Sequence, residues 1–283
     1  MTISRILAPL RHIRFDEVFV LQGTPLMGVV FSIGTITAGK CETLSLFLGG
    51  SILLVAHIFT LNDWADVAHG LKATDPEVPP QSLLSFSISL LIASLLVFAF
   101  LGLDVVTVGI IIAALGLFYS HPRFNAKGTP IASSLPRLVG GLFHFLLGYA
   151  LFMPIDQRGI FIALFFGLTF AAGHLNHEVR DFEFDRQNNA RTNAVAFGKR
   201  ATFLAGLVVF SCAYLCLFLL GWFRFIPRQL SVLAILLYPL HFYWSFRALR
   251  GQLNPESVDR FQTHYRSLYA VIGISMLCFV FYQ

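Results

Sequence analysis

The sequence predicts an all-α polytopic membrane protein, a bundle of nine transmembrane helices, and three observations carry that expectation. Of its 283 residues 56% are hydrophobic and only 12% charged, well below the charge content of a soluble domain. Apolar runs near 20 residues recur along the chain, each long enough to cross about 30 Å of hydrocarbon as a helix. The cations are unevenly placed between these runs, which is the signature of a fixed orientation in a membrane.

In chain order the runs fall at 18–38, 44–62, 83–103, 104–121, 133–153, 159–177, 201–222, 229–248 and 264–282. The third and fourth are parted only by Gly102-Leu103-Asp104, but an unbroken run of about 40 residues would exceed one crossing. With nine crossings the two ends lie on opposite sides. Lys40, Arg158, Arg224 and Arg228 fall on one side and the remaining Lys and Arg on the other, so the positive-inside rule places the N-terminus in the cytoplasm. The basic N-terminal stretch lacks a short apolar region ending in a small-residue cleavage site, so no removable signal peptide is expected. No Ser/Gly linker or low-complexity tract separates domains, which implies one transmembrane domain over residues 1–283.

The net charge of +5 reads as a topology signal and as affinity for anionic lipid or substrate. No basic, aromatic-interleaved patch supports binding of nucleic acid. The nucleophile elbow, the P-loop and the dinucleotide fingerprint with its strand and helix are missing. Cys41, Cys212, Cys216 and Cys278 have no metal-ligand spacing and are expected to pack.

Two acidic stretches interrupt the apolar chain: Asn62-Asp63-Trp64-Ala65-Asp66, and Glu178-Val179-Arg180-Asp181-Phe182-Glu183-Phe184-Asp185. Ionised acids are costly near hydrocarbon, so several together must be paired, metal-bound or facing an aqueous cavity. Asp63 and Asp66 stand at i, i+3 with Asn62 as a neutral oxygen donor beside them, and Glu178, Asp181 and Asp185 run i, i+3, i+7 as one helical stripe. Hard oxygen ligands of this kind suit Mg²⁺, which takes one or two carboxylates and completes its octahedron with water and phosphate. The bland alternative is a pair of solvated helix ends with local pairs such as Arg180 with Glu183 or Arg186 with Asp185. Asp75 and Glu77 follow in the next loop, where a solvated charge is the better reading for Glu77.

The two windows also form a weak internal repeat, in which Asn62, Asp63, Asp66 and Gly70 take the offsets of His177, Glu178, Asp181 and Asp185. This makes His177 a substrate-binding candidate beside its default as a capping or packing residue. A third element, Tyr119-Ser120-His121-Pro122-Arg123-Phe124-Asn125-Ala126-Lys127, is expected on the same side as the acids. Arg123 offers a planar fork and Lys127 a point charge for diphosphate oxygens, while Tyr119 either anchors at the interface or faces a cavity. His69, His121 and His174 have no zinc-site spacing, and Phe182 or Phe184 is at most a weak candidate for stabilising a cation.

Taken together these motifs resemble those of the UbiA superfamily of intramembrane prenyltransferases. The first motif, Asn-Asp-x-x-Asp-x-x-x-Asp, is matched by Asn62, Asp63 and Asp66, with Gly70 where the last Asp is expected. The second, Asp-x-x-Asp-x-x-x-Asp, is matched by Glu178, Asp181 and Asp185, with Glu in place of its first Asp. Tyr119 and Arg123 match a Tyr-x-x-x-Lys/Arg element, and the segment Arg191 to Gly198 also looks like the family's. The resemblance implies a nine-helix bundle with a central cavity open to the cytoplasmic side. It further implies Mg²⁺ on Asp63, Asp66, Glu178, Asp181 and Asp185, and transfer of an isoprenyl group from its diphosphate to a lipophilic, preferentially aromatic, acceptor. Catalytic roles would fall to Asp63, Asp66, Asp181, Asp185 and Tyr119, and substrate binding to Asn62, Arg123, Lys127 and His177. A terpene cyclase with the same diphosphate-ionising site is the alternative, and a secondary transporter using acidic half-sites is the rival from another class.

Overall fold

The computed structural model describes residues 8–68, 70, 72–73, 78–121, 123–124 and 126–281. His69, Asp75, Glu77, Pro122 and Asn125 lie outside the described residues. Among those described there is helix and turn but no strand.

After a 3₁₀ turn at Ala8–Ile13 come α1 (Phe15–Leu21), α2 (Gly23–Ser32), α3 (Ala38–Ala68), α4 (Pro80–Leu101), α5 (Leu103–Ser120) and α6 (Leu135–Tyr149). They are followed by α7 (Gln157–Arg180), α8 (Phe182–Gln187), α9 (Asn193–Phe197), α10 (Lys199–Trp222), α11 (Gln229–Arg250) and α12 (Pro255–Phe281). Each of the nine apolar runs overlaps helix, and among the described residues seven helices, α3, α4, α5, α7, α10, α11 and α12, are long and apolar enough to cross a membrane, in place of the nine expected.

The other two runs are shorter than expected, for local reasons. The first is broken at Gln22, because Pro25 has no N–H to give and its ring would crowd the carbonyl one turn earlier; it is tolerated in the opening turn of α2 instead. The fifth is the 15-residue α6. The ambiguous 83–121 run is two helices, and the residue that parts them is Gly102, with φ of 139°, a conformation that a side chain strongly disfavours. Helix α3 continues past the predicted end of its run, so that the first acidic motif lies on its last turns.

The chain packs as two compact units. One comprises residues up to Ala126 together with Leu146–Ile155; the other comprises Lys127–Phe145 and Asp156–Gln283. In the first unit α3 packs along α4, and α5 packs on both. Phe98 of α4 is fully buried there and stacks on Phe47 of α3, with ring centroids 6.2 Å apart. His57 of α3 and Ser87 of α4 are both buried and bonded to each other at 2.9 Å. In the second unit α10 lies between α7 and α11, and α12 packs on α7 and α11. The core of the second unit is aromatic: Phe203, Phe210, Phe261 and Tyr265 are buried beside Ala172 and Val179.

Phe98→Ala should therefore lower the thermal stability of the detergent-solubilised protein, because emptying a buried Phe site costs about 3–5 kcal/mol. Thermal melting followed by circular dichroism checks this, and an unchanged melt would mean that Phe98 does not anchor α3 to α4.

Candidate active site

In the first unit the last turns of α3 carry Asn62, Asp63 and Asp66. Asp63 is 2% exposed, and the chain surrounds it with basic groups. Its Oδ1 accepts from Arg14 Nη2 at 2.9 Å, and its Oδ2 meets His12 Nδ1 at 2.8 Å and accepts from Lys72 Nζ at 3.1 Å. Asp63 thus ties the segment before α1 and the turn after α3 to one point, through partners that themselves stay partly exposed. Asn62 Nδ2 donates to Asp66 Oδ2 at 3.3 Å, as their i, i+4 spacing allows.

The departure at Gly70 has a structural reason. Gly70 ends the helix with φ of 70°, the left-handed conformation in which glycine commonly closes a helix. The turn folds back so that Lys72 N donates to Asp66 O at 3.2 Å, and this brings the Lys72 ammonium to Asp63. A cation thus enters the cluster next to the position where the resemblance expects another carboxylate. Trp64 lies 5.9 Å from the His121 ring, centroid to centroid, which sets the end of α5 beside the first motif. Half-buried Tyr119 is on the last turn of α5, and exposed Arg123 follows, its N–H donating to His121 Nδ1 at 3.1 Å.

In the second unit the predicted stripe does not continue as one helix. The chain bends at Asp181, where α7 ends and α8 begins, and the three acids have different surroundings. Glu178 is 5% exposed. Its Oε1 accepts from Ser133 Oγ at 3.2 Å and meets His174 Nε2 at 3.1 Å, and its Oε2 accepts from the Asn193 backbone N–H at 3.0 Å. Asn193 reaches back through Nδ2 to Ser133 and Ser134, and through Oδ1 to the Ile131 N–H. Glu178 thereby fastens α9 and the turn before α6 to α7, with both oxygens occupied by protein donors.

Asp181 accepts from Arg180 Nε at 2.7 Å and Nη2 at 3.0 Å, and Arg180 Nη1 reaches Gln262 of α12 at 3.4 Å. Half-buried Asp185 sits on α8. Burial, helped by the charges of Asp181 and Glu178, raises its carboxyl to about 6, against a Thr192 hydrogen bond and the Lys127 charge, which lower it. Lys127, predicted as a diphosphate cation, thus lies within the field of the second acidic cluster. His177 accepts from Arg266 Nη2 of α12 at 3.2 Å. Glu183 pairs with Lys199 at 2.9 Å, not with Arg180.

Sequence reasoning missed His12, Arg14 and Lys72 at Asp63, Arg180 at Asp181, and Ser133, His174 and Asn193 at Glu178. The Arg11-His12-Ile13-Arg14 run was the available signal, read only as topology charge. Among the described residues no three of His, Cys, Asp and Glu gather closely enough to hold an ion by themselves. A site sharing an ion between two carboxylates and a phosphate-bearing ligand has no need of a third. The donor set suits such a cation, since Asp181 and Asp185 offer hard carboxylate oxygens.

No curated protein sequence matches the chain. A solved structure concerned with digeranylgeranylglyceryl phosphate synthase in membranes has a TM-score of 0.76 to it at 14% identity, covering 99% of this chain and all of that one. A UbiA homolog from Archaeoglobus fulgidus bound to GPP and Mg²⁺ has a TM-score of 0.71 at 16% identity, covering 96% of this chain and 98% of its own. The same homolog bound to Cd²⁺ has a TM-score of 0.71 at 18% identity, covering 96% and 97%. At these identities the likeness is one of fold. The UbiA prenyltransferase family profile matches residues 24–268, most of the chain, and the protein belongs to that family.

Proposed function

We propose that the protein is a Mg²⁺-dependent intramembrane prenyltransferase, with residues 1–283 acting as one domain. It moves an isoprenyl group from its diphosphate to a lipophilic, preferentially aromatic, acceptor. Its polar end faces the cytoplasm, on the side that holds most of the Lys and Arg. One observation carries this reading. In each unit an acidic pair at a helix end stands with cations able to receive a phosphate, Asp63 with Arg14 and Lys72, and Asp185 with Lys127. Family membership and the neighbour bound to GPP and Mg²⁺ support it.

On this reading Asp63, Asp66, Asp181 and Asp185 supply oxygens for the metal. Bound there, magnesium would offset the charge that develops on the leaving diphosphate. Glu178, expected from the resemblance to be a ligand, keeps its network and holds the Asn193 segment in place. Arg123 and Lys127 bind phosphate oxygens. The basic groups now at Asp63 and Asp181, Arg14, Lys72 and Arg180, are at hand to follow the diphosphate once those carboxylates turn to a cation. Asn62 and His177 take part in binding the substrate, and Tyr119 has a catalytic role. As the C1–O bond breaks, its electron pair leaves with diphosphate; the acceptor then bonds to C1 and gives up a proton. Apolar helices around C1 exclude the water that would otherwise trap the cation as an alcohol.

The test is incubation of the protein in lipid with isoprenyl diphosphates of several lengths, Mg²⁺ and a panel of aromatic acceptors, with products followed by mass spectrometry. Acceptor-dependent prenylated product is expected, and chelation of Mg²⁺ should abolish it. Asp181→Ala should lower turnover by about 10²-fold or more, the scale of losing one preorganised electrostatic group. Full turnover in Asp181→Ala would remove Asp181 from the machinery, and a cyclic product formed without acceptor would replace transfer by cyclisation.

Asp185 gives a pH prediction whose sign is fixed. Its carboxyl titrates near 6 in the folded state and near an ordinary value of about 4 when unfolded. The folded chain then takes up the proton first on acidification, and stability rises as pH falls from about 6 toward 4. Metal-free Asp185→Asn should therefore melt above the unsubstituted protein at pH 7, with the gap closing by pH 4. A gap that stays constant with pH would refute the assignment.

A further inference from the structure

At the turn between α11 and α12 the second unit forms an open cavity of about 290 Å³, apart from both acidic clusters. Trp244, Arg247, Asn254, Ser257, Arg260 and His264 line it, and none of its lining residues is acidic. Asn254 caps α12, accepting from the Ser257 N–H at 2.8 Å, and Ser257 Oγ donates back to the Asn254 carbonyl at 2.9 Å, so the turn that shapes the cavity is fixed. Trp244 and His264 form one wall, with ring centroids 4.3 Å apart. Arg260 reaches Glu256 at 3.1 Å on an exposed face. Both helices are long and apolar enough to span a membrane, so the cavity lies where they leave it. It shares an end of this unit with Asp181, because Arg266, further along α12, already meets His177 in the last turn of α7.

Two guanidinium forks suit phosphate oxygens, and a Trp at a helix end suits the headgroup level of a bilayer. We propose that this cavity binds a phosphate-bearing anion, held by Arg247 and Arg260 with Asn254 and His264 as further polar contacts. Two sources carry that chemistry, an anionic lipid headgroup and free phosphate. The proposal rests on α11 and α12 spanning the membrane and not on the transferase reading, so either can fail alone.

The full chain is reconstituted in nanodiscs of equal phosphatidylcholine and phosphatidylglycerol, and the lipid retained on gentle extraction is identified by native mass spectrometry. The expected result is preferential retention of phosphatidylglycerol. Each arginine near the surface contributes about fivefold, so Arg247→Gln with Arg260→Gln should reduce that preference by about 25-fold. Arg250→Gln is the control. It removes the same charge from the same helix end, but Arg250 lies over Phe246, 4.5 Å from its ring centroid, outside the cavity lining. It should cost no more than the roughly fivefold of one surface charge and leave most of the preference. In a second arm inorganic phosphate is titrated calorimetrically into protein in phosphatidylcholine alone. Saturable binding lost in the double variant, without lipid preference in the first arm, assigns the site to a free anion. If the double variant matches the unsubstituted protein in both arms, or Arg250→Gln loses as much as the double variant, the cavity is not an anion site.

Discussion

A carboxylate at the end of an apolar helix must be compensated, and the surroundings of the acidic motifs follow from how the chain does so. Asp63 and Glu178 hold equivalent places in the internal repeat and both are buried, yet their solutions differ. Asp63 is balanced by charge, with Arg14 and Lys72 on it and His12 beside them. Glu178 is balanced mainly by hydrogen bonds from a hydroxyl and a backbone N–H, with the His174 ring 3.1 Å away. The difference decides what each can do. Charge partners can be exchanged for a metal and then turned to a phosphate, whereas a backbone N–H belongs to the path of the chain and cannot leave without moving α9.

Asp181 stands between these extremes. Its partner Arg180 is its neighbour in sequence, held in turn by Gln262, so the carboxylate is oriented by a group that can itself receive an anion. The bend at Asp181 is what allows this arrangement. A continuous helix would have kept Glu178, Asp181 and Asp185 on one face with like charges stacked; ending α7 there lets Glu178 stay in the protein interior while Asp185 remains half-buried on α8.

The helical fold was largely legible because hydrophobic run length is a strong signal in a chain so poor in charge. The short Gly102-Leu103-Asp104 break is a real boundary, for a backbone reason visible only in the φ of Gly102. The break at Gln22 was missed although Pro25 signals it, since the apolar run continues through the break. Among the site residues, spacing found the acids but not their partners. His12 lies 51 residues from Asp63, and Ser133 lies 45 from Glu178, and no periodicity links positions so distant. Helical spacing also overstated the second stripe, because i, i+3, i+7 assumes a helix that the chain ends at Asp181.

The two clusters also differ in charge balance, which bears on how the proposed reaction is divided between them. In the first, Gly70 stands where a further carboxylate is expected, and its left-handed turn delivers Lys72 instead, so Asp63 alone meets both Arg14 and Lys72. In the second, Arg180 pairs with Asp181 and Lys127 acts on Asp185, while Glu178 is held without Lys or Arg; the Asp185 carboxyl is raised to about 6 chiefly by burial, with the charges of Asp181 and Glu178 adding to it. A divalent cation gains most where negative charge is least compensated, and a diphosphate gains most where cations are already gathered. On the proposed reading the second cluster is therefore the principal metal site and the first the principal grip on the leaving group. The loss of one acid at Gly70 then redistributes the work between the motifs without emptying the site.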